Sequence, residues 1–120
     1  MSTSPRVLGT QGELLARRFL EHKGLQLITT HWLCKLGEFD LIMQDGATRV
    51  FVEVRLRSST RYGTGYDTVA YQKQHKLIRT AQFYQQREQY WGDVRFDVVS
   101  ITLRVNSEPL IEHIEHAFTL

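Results

Sequence analysis

Residues 37–57, GEFDLIMQDGATRVFVEVRLR, read as two β-strands joined by a tight turn, and that reading decides the fold. On the first arm Phe39, Leu41 and Met43 alternate with Glu38, Asp40 and Ile42. On the second, Val50, Val52, Val54 and Leu56 form an apolar row, with Phe51, Glu53, Arg55 and Arg57 facing the other way. Asp45-Gly46 is a strong hairpin-turn signal. A two-residue turn at Asp45-Gly46 or at Gly46-Ala47 sets Asp40 opposite Glu53 or diagonally beside it. Both carboxylates then share a face. Facing like charges cost on the order of 0.2–1 kcal/mol in a sheet, so the pair calls for a cation or a proton. A divalent metal ion would meet that need.

Around the hairpin, Thr10-Gln11-Gly12-Glu13 matches a capping box, and Leu14, Leu15, Phe19 and Leu20 follow at helical spacing before Gly24 closes the segment. LQLITTHW, residues 25–32, reads as a strand. SSTRYGTGYDT, residues 58–68, is rich in turn formers and reads as a loop or flap. Helical periodicity returns from Val69 to Tyr90, with Leu77, Ala81, Tyr84 and Ile78 as the buried stripe. VRFDVVSITL, residues 94–103, is β-branched and apolar on both faces, as an interior strand requires. The tail LIEHIEHAF fits a helix by spacing and a strand by composition. The order α, β-β-β, α, β and a tail predicts an α/β fold, a mixed β-sheet flanked by helices, in a single domain over residues 9–120 after a flexible leader of residues 1–8.

The 120 residues suit one domain, and 42% apolar content supports a modest core. Formal charge is only +2. The cations nevertheless concentrate between the hairpin and the next helix, at Arg55, Arg57, Arg61, Lys73, Lys76 and Arg79, which predicts a basic face. Cys34 is the single cysteine, so an internal disulfide and a Cys-rich zinc site are excluded. MSTSPRVLGTQ lacks the apolar run of a signal peptide, and no stretch reaches the roughly 18 apolar residues of a membrane span. The expectation is a cytoplasmic protein with no membrane partner.

Phosphodiester hydrolysis needs an activated water, neutralised phosphoryl oxygens and a cation beside the leaving group. Hard carboxylate ligands without cysteine point to Mg²⁺ or Mn²⁺ held by Asp40 and Glu53. Arg55 shares the face of Glu53 and is placed to bind the scissile phosphate. Arg61-Tyr62 mixes a cation and an aromatic ring in a glycine-bearing loop, which suits nucleic-acid contact. Arg57, Lys73 and Lys76 extend the same basic surface. His113 and His116 lack the H-E-x-x-H pattern of a zinc protease and are not read as a metal site.

Asp40 followed by Glu53-Val54-Arg55 resembles the PD-(D/E)XK nuclease signature, an acid on one strand and an E-x-K tripeptide on the next. The wider string of Gly12-Glu13, Gly37-Glu38-Phe39-Asp40-Leu41-Ile42, Phe51-Val52-Glu53-Val54-Arg55, Arg57, Gly63, Lys73 and Arg95-Phe96-Asp97-Val98-Val99 resembles the bacterial YraN family across roughly residues 9 to 118. That resemblance implies a restriction-endonuclease-like fold related to Holliday-junction resolvases. It implies a divalent-metal-dependent endonuclease acting on nucleic acid, DNA being the expected substrate, and it is compatible with a homodimer. It makes Asp40 and Glu53 metal ligands, puts Arg55 in the lysine slot, and adds Glu13 as a metal-site acid and Lys73 as a catalytic-site cation. A capping role is the competing reading of Glu13. Arginine in the lysine slot keeps its proton and binds oxygens as a planar fork, so the alternative is a nucleic-acid-binding protein of the same fold with attenuated catalysis or none. Asp97, alone in an apolar strand, is expected to serve structure.

Overall fold

The computed structural model of the chain describes residues 5–57 and 71–118. Its elements are α1 (Pro5–His22), β1 (Gln26–Cys34), β2 (Gly37–Asp45), β3 (Thr48–Arg57), α2 (Tyr71–Glu88), β4 (Asp93–Thr102) and β5 (Leu110–Phe118). One mixed sheet has the order β1-β2-β3-β4-β5, and α2 supplies the crossover between the parallel neighbours β3 and β4. The other neighbours are antiparallel. This is the single α/β domain expected from the sequence, consistent with a restriction-endonuclease-like architecture.

Helix α1 begins at Pro5, a favoured first helical position, so residues 5–8 of the expected leader are helical and Thr10 lies inside the helix. The capping box is thereby overturned. The helix closes in a Schellman motif, with Leu25 N–H donating to the Leu20 carbonyl and Gly24 N–H to that of Glu21. Gly24 takes the left-handed φ of 98° that this closure requires.

Two apolar clusters sandwich the sheet. Ala16 and Leu20 of α1 pack with Leu41, Met43, Val50, Val52, Val99 and Ile101 on one face. Leu77, Ala81 and Tyr84 of α2 cover Ile42, Phe51, Phe96 and Val98 on the other. Phe39 departs from the expected row. It stacks on Phe51 on the α2 side, ring centroids 4.5 Å apart, while Leu41 and Met43 face α1. The break falls at Asp40, whose neighbour in the β1–β2 register is His31, a non-glycine residue at φ 51°.

Asp45 pairs with Thr48, which places the hairpin turn at Gly46-Ala47. The ambiguous tail is a strand. As β5 it pairs with β4 and makes β4 an interior strand, buried from Arg95 to Thr102. At Gly37 an added Cβ would stand 2.7 Å from Thr80 Oγ1, so the glycine is what lets the start of β2 lie against α2.

Candidate functional site

The β2–β3 register runs from Asp45–Thr48 to Leu41–Val52, and one further step sets Asp40 level with Glu53. There a side chain replaces the backbone ladder, because Val54 N–H donates to Asp40 Oδ2 at 2.8 Å. Burial pushes the Asp40 carboxyl up to about 6. The Val54 hydrogen bond opposes that rise, and the charges of Glu13, Glu53 and Glu38 reinforce it. The sequence expectation that the two acids meet is met in geometry.

Glu53 presents its two oxygens differently. Oε1 lies against the Lys73 ammonium from the first turn of α2, whereas Oε2 is buried with no hydrogen-bond partner among the described residues. Val54 and Leu56 pack toward the α1-side cluster, so Arg55 and Arg57, half-buried, alternate onto the Glu53 face. Lys76 lies one helical turn beyond Lys73 and is exposed. Arg61 and Tyr62 lie outside the described residues.

Glu13 reaches the same corner from α1. Its Oε2 is 2.6 Å from His31 Nε2, and His31 Nδ1 is 3.6 Å from Glu38 Oε1. Burial raises the Glu13 pKa, His31 opposes the rise and Glu38 adds to it. Glu13 is thus an acid of this corner rather than a helix cap, and Glu38 beside it is exposed.

His31 was not legible as part of the site, since a lone histidine in a strand carries no spacing signal. The hydroxyls of Ser100 and Thr102 were missed too. They are buried on β4 without hydrogen-bond partners among the described residues, level with Arg55 and Arg57 of β3. Their two-residue spacing marks a shared face, yet only the sheet register brings that face beside the arginines.

Asp97 sits on the opposite face of the sheet and is fully paired. Arg95 donates to both its oxygens at 2.9 and 3.0 Å, His113 Nε2 lies 2.7 Å away, and His116 N–H donates at 3.2 Å across a β-bulge. Lys23, a donor only, lies 2.8 Å from His113 Nδ1, so Nδ1 accepts and Nε2 carries the proton given to Asp97. Burial alone would raise this carboxyl, but His113 and Arg95 outweigh burial and hold it below its ordinary range. The structural role expected for Asp97 holds.

A hard divalent cation fits part of this arrangement. Asp40 and Glu53 offer oxygen ligands, and the orphaned Glu53 Oε2 has the unmet polarity that an ion would satisfy. Among the described residues no three His, Cys, Asp or Glu side chains gather into a complete ligand set. Mg²⁺ does not require one, being commonly held by one or two carboxylates with water and substrate phosphate.

The fold and site define a small α/β domain with a partly unsatisfied acid pair where two central strands separate, backed by a helix lysine. The profile of the uncharacterised protein family UPF0102 matches residues 12–101, and the chain belongs to that family. It is 48% identical over 95 residues to a UPF0102 protein of Pseudomonas fluorescens strain Pf0-1, covering 78% of this chain and 79% of the relative. A UPF0102 protein of Pseudomonas savastanoi pv. phaseolicola is 40% identical over 118 residues, covering 97% and 96%. One from Nocardia farcinica is 36% identical over 114 residues, covering 94% and 90%. Among the described residues no helix is long and apolar enough to cross a membrane.

Proposed function

We propose that this protein is a divalent-metal-dependent endonuclease of the PD-(D/E)XK kind, hydrolysing phosphodiester bonds in nucleic acid, with DNA as the expected substrate. One observation carries the reading: among the described residues Glu53 keeps a buried oxygen without a hydrogen-bond partner, beside an Asp40 carboxyl pushed up to about 6, so the acid pair calls for a further cation. Asp40 and Glu53 would hold Mg²⁺ or Mn²⁺, with Glu13 as a further acid at the corner. The ion would supply Lewis acidity toward a phosphoryl oxygen and a more acidic water.

The chain's own groups do the rest. The Val54 amide fixes the Asp40 carboxylate against β3, so that ligand is oriented in advance. Arg55, fork-shaped and permanently charged, suits two oxygens of the scissile phosphate. Arginine is a poor proton donor or acceptor, and a lysine is the better group for that task. Lys73 answers this from α2, its ammonium against Glu53 despite the distance in sequence. The lysine absent from the E-x-K position is in effect delivered by another element.

The decisive experiment incubates the protein with supercoiled, linear, branched and single-stranded DNA in Mg²⁺ or Mn²⁺, beside Asp40→Asn, Lys73→Met and Arg55→Lys. Cleavage by the wild type is expected to fall at least 100-fold in Asp40→Asn and in Lys73→Met. Calorimetric Mn²⁺ binding is expected to vanish in Asp40→Asn. Cleavage that persists in Asp40→Asn overturns the assignment. Salt-sensitive binding with no cleavage by the wild type favours the attenuated alternative, and activity appearing in Arg55→Lys would locate the attenuation at Arg55.

A further inference from the structure

The exposed side of α2 carries a feature that the acid pair does not use. An open cleft of about 330 Å³ lies between the helix and Leu36, lined among the described residues by Tyr71, Gln72, His75, Lys76 and Arg79. Tyr71 is 73% exposed. The His75 ring meets it edge-on at 4.4 Å and braces it. Opposite, Gly37 lets the start of β2 approach α2, where the Lys76 side chain runs past it.

The charge of this helix face is one-sided. From Tyr71 to Arg87 the helix contains Lys73, Lys76, Arg79 and Arg87 and no acid, and the terminal Glu88 is engaged by the Trp32 indole N–H. A cationic wall beside a braced, exposed aromatic ring suits phosphates together with a flat π-surface. An intact duplex presents base edges and backbone, with the base faces already stacked. Away from duplex ends, only an unpaired base has a face free to lie on Tyr71.

We propose that this cleft binds an unpaired nucleotide of a single-stranded or locally melted nucleic acid, its base stacked on Tyr71 and its flanking phosphates on Lys76 and Arg79. The proposal rests on the nuclease reading and specifies its substrate class. The cleft residue Lys76 lies one helical turn beyond Lys73 on the same side of α2, so a strand held in the cleft leads toward the acid pair.

The test measures fluorescence anisotropy with labelled single-stranded DNA, single-stranded RNA and blunt duplex DNA, in Ca²⁺ to suppress hydrolysis. The wild type is expected to prefer single strands. Tyr71→Ala should weaken single-strand binding about 5- to 150-fold, leave duplex binding unchanged and be rescued by Tyr71→Trp. Lys76→Ala and Arg79→Ala should weaken binding to both forms and flatten its salt dependence. Circular dichroism checks that each exposed-site variant folds. A duplex preference in the wild type, an unchanged single-strand affinity in Tyr71→Ala or an equal loss for duplex overturns the proposal. Asp40→Asn separates the two readings. Tyr71-dependent single-strand binding without metal-dependent cleavage by the wild type refutes the nuclease alone, and cleavage abolished by Asp40→Asn with Tyr71→Ala silent refutes the cleft alone.

Discussion

Asp40 and Asp97 are both largely withdrawn from water near the middle of one sheet, and the protein treats them in opposite ways. Asp97 receives Arg95, His113 and the His116 amide, and its carboxyl is held below the ordinary range. Asp40 receives one backbone amide, faces three other acids and is pushed up to about 6. A buried carboxylate with every lone pair answered belongs to the architecture. One left short of positive charge raises the free energy of the folded chain, and such deficits concentrate where a ligand is to be bound.

The sharpest way to break the contrast is Asp97→Ala. It leaves Arg95 buried without its main partner, and removing one member of a buried ion pair typically costs about 3–5 kcal/mol. Thermal denaturation is expected to show a large fall in Tm, and activity should fall only in step with the folded fraction. A variant as stable as wild type would mean that the Asp97 cluster is not structural.

Asp40→Asn should act in the other direction, and its sign depends on pH. The folded-state pKa of about 6 lies above the ordinary carboxylate value, so Asp40 is protonated in both states below about 4 and penalises folding fully above 6. Asparagine should raise stability at pH 8 by on the order of 2–3 kcal/mol and change it little at pH 4, read as Tm across that range. The same titration predicts that wild-type Mn²⁺ affinity weakens as pH falls through about 6. Asp97 has the opposite linkage, its stabilisation being lost only on deeper acidification. Equal gains for Asp40→Asn at both pH values would refute the electrostatic account.

The smallest effects come from the orphaned hydroxyls. Ser100→Ala and Thr102→Val remove buried polar atoms that have no partner among the described residues, so denaturant titration should show stability unchanged or raised by up to about 1 kcal/mol. A loss above that size would show that these hydroxyls are satisfied in solution and belong with the Asp97 type of site.

Much of this was legible without coordinates. A turn signal in residues 37–57, and the pairing register it sets, brought Asp40 beside Glu53, since strand geometry leaves few registers to choose from. The β-branched density of residues 94–103 marked β4 as interior. Helix boundaries were less accessible. Thr10-Gln11-Gly12-Glu13 has capping-box composition, but α1 continues back to Pro5, and tertiary contacts turned Glu13 toward His31. The tail satisfied helix and strand patterns alike, and what decided it was the open edge of β4.

By itself the sequence determined the α/β class, the hairpin, the basic segment and the acid pair, because these rest on local periodicity and short-range turns. The tertiary structure decided which charges are answered. Lys73 reaches Glu53 and Glu13 reaches His31 only because two helices pack on opposite faces of one sheet. Electrostatic compensation depends on distance in space, and separation along the chain carries little of that information.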